Sequence, residues 1–245
     1  MTDIHCHILP LSDDGAQSME DAVEMARMAA HSGVSTIIVT PHCNVPGEEE
    51  QNYISRSLLD RFTALQTAVK QAGIPLKLLP GAEILCTPEV PALLEANMLP
   101  SLAGSRYLLV EFFFDESLDF MDEMLTAVSR QGRVPVIAHP ERYEVVQRNP
   151  RVAERWFREG YVIQLNKGSI LGRLGKRAQL TANRLLEWGL AHVVASDAHS
   201  PEQRTPDMSA VEEYLLELCS PSYTDILLRR NPARIAADRP MVDAG

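Results

Sequence analysis

Cysteine is scarce: Cys6, Cys43, Cys86 and Cys219 are the four in 245 residues, and no two share a CxxC spacing. That argues against a disulfide framework and against a thiolate zinc knot. A cysteine-nucleophile phosphatase needs an arginine six positions beyond its cysteine. Here those positions hold Ser12, Glu49, Ala92 and Asp225, which rules that mechanism out. Gly172–Lys176 fails as a phosphate loop, because the glycines are misspaced and Arg177 stands where Ser or Thr belongs. No apolar run approaches the roughly 20 residues that span a bilayer. No basic-then-apolar leader follows Met1, so the expected location is the cytoplasm, without direct membrane insertion. Basic residues are outnumbered 23 to 33, a net charge of −10, and no Lys/Arg cluster interleaves with aromatics. Nucleic acid is therefore not an expected partner. A phosphate site in so acidic a chain must take its local sign from something else, and bound metal is the obvious source.

What is present is a regular alternation. Short apolar runs read as strands at Asp3–His5, Ser35–Thr40, Leu76–Leu79, Tyr107–Phe112, Val134–Ala138, Tyr161–Leu165 and His192–Ser196. Helical periodicity separates them at Met19–Ala30, Ile54–Gln71, Leu118–Arg130, Pro150–Glu159, Ala178–Trp188 and Pro206–Leu218. Gly33, Gly73, Gly132, Gly160 and Gly189 each sit between a helix and the next strand, where a left-handed cap belongs. Seven strand-then-helix units predict an α/β chain with a parallel sheet closed into a (β/α)7 barrel, as one domain over residues 1–245. The polar, proline-containing tail Asn231–Gly245 is expected to wrap the surface.

The ionisable residues fall at the ends of these strands. His5 and His7 close the first, His42 follows the second, Glu83 the third, Glu111 the fourth, His139 the fifth, and Asp197 with His199 the last. In a parallel barrel all strand C-termini share one face, so these residues are expected to converge. His31 and His192 lie elsewhere. His5 and His7, two apart on extended backbone, leave by the same side, as two imidazoles gripping one ion must. Imidazole and carboxylate without thiolate suit Mn, Fe, Zn or Co.

These motifs, in this order, resemble the PHP (polymerase and histidinol phosphatase) superfamily, and within it the bacterial capsule-biosynthesis tyrosine phosphatases. The resemblance runs through Asp3–Pro10, Asp13-Asp14-Gly15, Thr40–His42, Gly81–Ile84, His139–Tyr143, Gln164–Ser169, Ser196–His199 and Asn231–Arg234. It implies a distorted TIM-like barrel holding three divalent ions, manganese foremost, with Fe, Zn, Co or Mg as alternatives. By matched motif, His5, His7, Glu83 and Asp197 would hold the first ion. Glu83 would bridge to a second, completed by Glu111 and His139, and Asp14, His42 and His199 would hold the third. Arg142 and Arg204 match arginines directed at the phosphate. Four carboxylates against three divalent ions leave a net positive site, which would attract a phosphate dianion and supply a bridging hydroxide to attack it. The implied substrate is phosphotyrosine, on the tail of a bacterial tyrosine kinase controlling capsular or exopolysaccharide synthesis. Two other readings stay open: a phosphoesterase acting on histidinol phosphate or a nucleotide, and a non-catalytic metal-binding partner protein. The oligomeric state is not legible.

Overall fold

The computed structural model describes residues 1–242. Nine strand segments appear: β1 (Thr2–Cys6), β2 (Thr36–Val39), β3 (His42–Cys43), β4 (Lys77–Pro80), β5 (Glu83–Leu85), β6 (Tyr107–Glu111), β7 (Val134–Ala138), β8 (Val162–Asn166) and β9 (Val193–Ala195). Every pairing is parallel, in the orders β1-β2-β4 and β3-β5-β6-β7-β8-β9. Thr40-Pro41 divides β2 from β3, and Gly81-Ala82 divides β4 from β5, so nine segments make seven staves. A proline has no N–H to give a ladder, and a glycine packs nothing, which is why the breaks fall there. The ring closes where Asp197 N donates to His5 O (2.9 Å) and His7 N to Ala198 O (2.8 Å). Among the described residues β4 does not pair with β6, and the turn Leu102–Gly104 fills that gap with Leu102 pointing inward. The fold is thus a distorted α/β barrel of seven staves.

Two apolar layers follow from strand alternation. Inside the barrel, Ile4, Ile38, Leu109, Val136, Ala138, Val162, Val193 and Ala195 interlock. Their alternate neighbours, among them Ile37, Leu108, Ile137, Ile163 and Val194, pack outward under the helices. One irregularity matters for the site. Between Asp3 and Cys6, β1 carries one more residue than β2 does between the matching partners Ile37 and Val39. Such a bulge re-aims side chains. Ile4 stays with the inner layer, yet His5 and His7 also turn inward while Cys6 and Ile8 pack outside.

Helix Leu118–Arg130 shows how the outer layer is built. Ser117 caps it by accepting from Phe120 N (3.3 Å), and Met121, Met124, Leu125 and Val128 form its buried stripe. Burying side chains of this size contributes about 1.5–3 kcal/mol each. The five glycines expected to cap helices all have positive φ, from 67° to 86°.

The tail departs in part from expectation. Residues 231–236 form a helix in which Asn231, Pro232 and Ile235 are buried, and Ile235 joins the inner layer at the base of the barrel. Asn231 Nδ2 donates to His192 O (3.0 Å) and Val242 O (2.9 Å). Residues 231–236 thus plug the barrel, while residues 237–240 beyond them lie exposed on the surface as expected; a single isoleucine among alanines and polar residues carries too weak a periodic signal to announce the plug. Residues 243–245 of that tail lie outside the described residues.

Candidate metal centre

The end of β1 sets the geometry. His5 Nε2 and His7 Nε2 lie 3.1 Å apart. Both approach Glu83 Oε2, at 3.1 and 3.2 Å, and Asp197 Oδ1, at 3.4 and 3.6 Å. Each ring is oriented from behind: His5 Nδ1 lies 2.9 Å from Gln164 Oε1, and His7 Nδ1 2.8 Å from Asp13 Oδ2. With the Nδ1 proton spent on an oxygen acceptor, the Nε2 lone pair faces the pocket, the tautomer a metal ligand needs. Asp13 also accepts from His42 N (2.8 Å) and Gly15 N (2.9 Å). Gly15 is required there, because a Cβ would stand 2.1 Å from His7 O.

Glu83, at the start of β5, faces both ways. Its Oε1 lies 3.0 Å from His139 Nε2, which is 3.5 Å from Glu111 Oε1. Its Oε2 lies 3.2 Å from His42 Nδ1, which is 3.5 Å from Glu111 Oε2. Further out, Asp14 Oδ1 sits 3.5 Å from His42 Nε2 and 3.4 Å from His199 Nε2. All nine residues expected as ligands therefore meet at one mouth. They contain three sets able to hold an ion: His5-His7-Glu83, His42-Glu83-Glu111, and His7-Asp14-His42-His199. These overlap the sets implied by resemblance but are not identical: His42 groups with Glu83 and Glu111, which His139 also approaches, and His7 joins Asp14.

The donors fit a metal. Bonds of about 2.0–2.2 Å put neighbouring donors about 3–3.5 Å apart around one ion, close to the separations seen here. Glu83 Oε2, Asp197 Oδ1 and His42 Nδ1 are buried and make no hydrogen bond among the described residues. Glu83 Oε2 and Asp197 Oδ1 crowd the same two imidazole nitrogens of His5 and His7, and His42 Nδ1 crowds Glu83 Oε2, without the alignment of hydrogen bonds, as atoms aimed at a shared point do. Buried polar atoms left this way are costly unless a cation satisfies them.

The electrostatics say the same. Burial pushes the Glu111 carboxyl well above the usual carboxylate range, and Glu83 and Asp197 push it further. Burial also disfavours charge on Glu83, but the His5 and His139 imidazoles outweigh it and hold Glu83 well below that range. Burial opposes protonation of His7 too, yet Asp13 and Glu83 raise it well above the ordinary histidine value. Without metal the mouth keeps protons where a metal would otherwise sit.

Both candidate arginines reach the site through Asp197. Arg204 Nη2 and Asn166 Nδ2 donate to Asp197 Oδ2, and Arg142 Nη1 lies 3.6 Å from the same oxygen. This leaves Oδ1 free for the pocket. Arg142 also lies over the Phe114 ring, 4.2 Å from its centroid. Behind it, buried Glu141 accepts from Asn166 N (3.0 Å), and burial pushes its carboxyl up to about 7. His139, Asp197 and Arg204 all have left-handed backbone, with φ of 34°, 49° and 48°. Side chains with a Cβ are uncommon there, and such strain gathers at functional sites. His31 ends a helix, and His192 accepts from Ile163 N (3.0 Å) and stacks on Phe157, so neither reaches the mouth. Asp13, Gln164, Asn166 and Glu141 were not singled out from the sequence, although all lie inside quoted motifs. Asp13 and Glu141 stand one and two places from the expected ligands Asp14 and His139, whereas Gln164 and Asn166 signal themselves only as polar residues within the apolar strand β8, which carries no expected ligand.

The family profile for capsular polysaccharide synthesis proteins, CpsB/CapC, matches residues 1–237. The chain belongs to the CpsB/CapC family. Among its CpsB/CapC relatives, the tyrosine-protein phosphatase YwqE of Bacillus subtilis is 39% identical over 204 residues, covering 83% of this chain and 79% of that protein. The tyrosine-protein phosphatase CpsB of Streptococcus pneumoniae is 30% identical over 244 residues, covering 98% and 99%. A crystal structure from work on YwqE and CpsB, described there as unique metal-dependent tyrosine phosphatases, superposes with a TM-score of 0.92. It is 34% identical and covers 99% of this CpsB/CapC chain and 97% of its own. An organophosphorus hydrolase mutant superposes at 0.61 with 12% identity, covering 96% and 92%, a likeness of fold alone.

Proposed function

We propose that this chain is a metal-dependent protein-tyrosine phosphatase of the PHP superfamily, comprising one domain. The observation that carries the reading is the meeting of four carboxylates and five imidazoles at one mouth, with Glu83 Oε2, Asp197 Oδ1 and His42 Nδ1 buried and unsatisfied. We take the ligands to be His5, His7, Asp14, His42, Glu83, Glu111, His139, Asp197 and His199, holding three divalent ions, manganese foremost. Divalent ions bound there would supply Lewis acidity to the phosphoryl oxygens and bring the ionisation of water near neutrality.

The chain's own residues do the rest. Gln164 and Asp13 fix the tautomers of His5 and His7, so the ligand set needs no rearrangement before use. Arg142 and Arg204 stand at the rim on Asp197 Oδ2, placed to take the non-bridging oxygens of a phosphate by charge-assisted hydrogen bonds. Phenol, with a pKa of about 10, leaves more readily than an alkyl alcohol, so a tyrosyl ester demands less of a general acid. The substrate we favour is a phosphotyrosine tail of a bacterial kinase governing polysaccharide export.

The test is elemental analysis of the purified protein together with turnover of phosphotyrosine peptide, histidinol phosphate and a nucleotide, before and after chelation. Phosphotyrosine turnover lost on chelation and restored by manganese is the expected result. Preference for histidinol phosphate or nucleotide would move the protein to small-molecule chemistry, and metal without hydrolysis would make it a binding partner. Full activity after chelation in metal-free buffer would sink the reading.

A further inference from the structure

Beside the metal mouth, β6 runs on from Glu111 into Phe112-Phe113-Phe114. Phe112 is buried, in edge contact with Tyr143, whereas Phe113 is 53% and Phe114 43% exposed. Phe114 packs against Tyr143 and beneath Arg142, but Phe113 stands in water next to a cluster of charges, and exposed apolar surface of this kind marks binding sites. Both phenylalanines border a hollow of about 210 Å³ that is also lined by apolar Val45 and Leu85 and by His42 and Glu111 of the candidate centre. An apolar cavity of about 150 Å³ accepts one benzene ring. The hollow is therefore large enough for a phenyl group whose substituent reaches the metal side.

The wall is fixed before any ligand arrives. Glu116 N donates to Phe113 O (3.1 Å) and Glu144 N to Phe114 O (2.8 Å), holding the backbone that carries both rings. Phe114 has a second duty, since the Arg142 guanidinium lies on its face.

We infer that this hollow is the subsite for the aromatic ring of an aryl phosphomonoester, with Phe113 determining specificity for aryl over alkyl substituents. The inference rests on the phosphatase reading and deepens it. A planar ring in the hollow would bury apolar surface against Phe113, Val45 and Leu85, whereas a phosphoserine methylene would leave it mostly unfilled. Phe114 acts differently: it is a positioning residue for Arg142.

The test uses non-hydrolysable ligands on manganese-loaded protein, so that binding is read apart from leaving-group chemistry. Calorimetry compares phenylphosphonate, methylphosphonate and inorganic phosphate with wild type, Phe113→Ala, Phe113→Leu and Phe114→Ala. Wild type is expected to prefer phenyl over methyl by about tenfold or more. Phe113→Ala should lose most of that preference while keeping its affinity for inorganic phosphate, and Phe113→Leu should retain an intermediate part. Phe114→Ala should weaken all three ligands, because Arg142 loses its platform. Equal phenyl preference in wild type and Phe113→Ala, or none in wild type, overturns the inference while phosphate binding leaves the phosphatase reading standing. Failure of wild type to bind inorganic phosphate at all defeats the phosphatase reading itself, and the subsite with it.

Discussion

The two ends of the barrel are built from the same strands to opposite rules. At the base, Ile4, Ile38, Tyr107, Val136, Val162, Val193 and Ile235 interlock, and the helix at residues 231–236 seals them from below. At the mouth the same strands end in His5, Glu111, His139 and Asp197, and among the described residues nothing satisfies the buried His139 Nδ1 and Asp197 Oδ1. The base gains stability from every residue it buries. The mouth surrenders stability by desolvating charge, and recovers it only when a cation arrives. A parallel barrel separates the two duties along its axis, which lets one change without the other.

The sharpest way to break the contrast is His7→Ala. Phosphatase activity should fall below detection while far-UV circular dichroism stays that of the wild type, because no base contact is touched. Activity within tenfold of wild type would show that the mouth does not act as one unit. Next is Arg142→Ala, expected to lower kcat/KM by about 10²–10³-fold if the guanidinium meets the transition state as an oxyanion donor does; an unchanged kcat/KM removes it from that role. Ile235→Ala tests the other end. It should cost about 2–5 kcal/mol of unfolding free energy in a denaturant titration, with activity per folded molecule unaltered. A fall in kcat would mean that base and mouth are coupled.

The smallest effect expected is on proton release. Glu111 and His7 are both held above their ordinary values in the metal-free site, so each must give up a proton to become a ligand. Manganese affinity should therefore rise with pH, by about tenfold per unit for each proton displaced, and should already be weakening above the ordinary histidine range, because His7 keeps its proton there. Calorimetry in buffers of different ionisation enthalpy reads the released protons directly. Affinity independent of pH would mean that the sites are already deprotonated.

Legibility divides along the same axis. Strand Val134–Ala138 and helix Leu118–Arg130 are readable to the residue, because apolar runs and a capped stripe are local signals. The strand-end ligands stand out because a charged residue closing an apolar run is conspicuous. Other features are invisible to a local reading. β3 and β5 are two- and three-residue segments beyond a proline and a glycine, too short to show a period. Ile235 is an isolated apolar residue whose burial depends on where the chain returns in space. Gln164 and Asp13 reveal themselves only when an imidazole nitrogen is found opposite them. The one-residue surplus in β1 can be counted only against β2, its neighbour across the ladder.

The left-handed backbone at His139, Asp197 and Arg204 has a consequence for anyone who engineers this protein. Glycine or asparagine would relax each of those positions, yet neither offers the imidazole, carboxylate or guanidinium found there. Selection that rewards heat resistance alone should therefore drift toward these replacements and deliver a sturdier, inert barrel. Robustness and turnover have to be scored in the same screen.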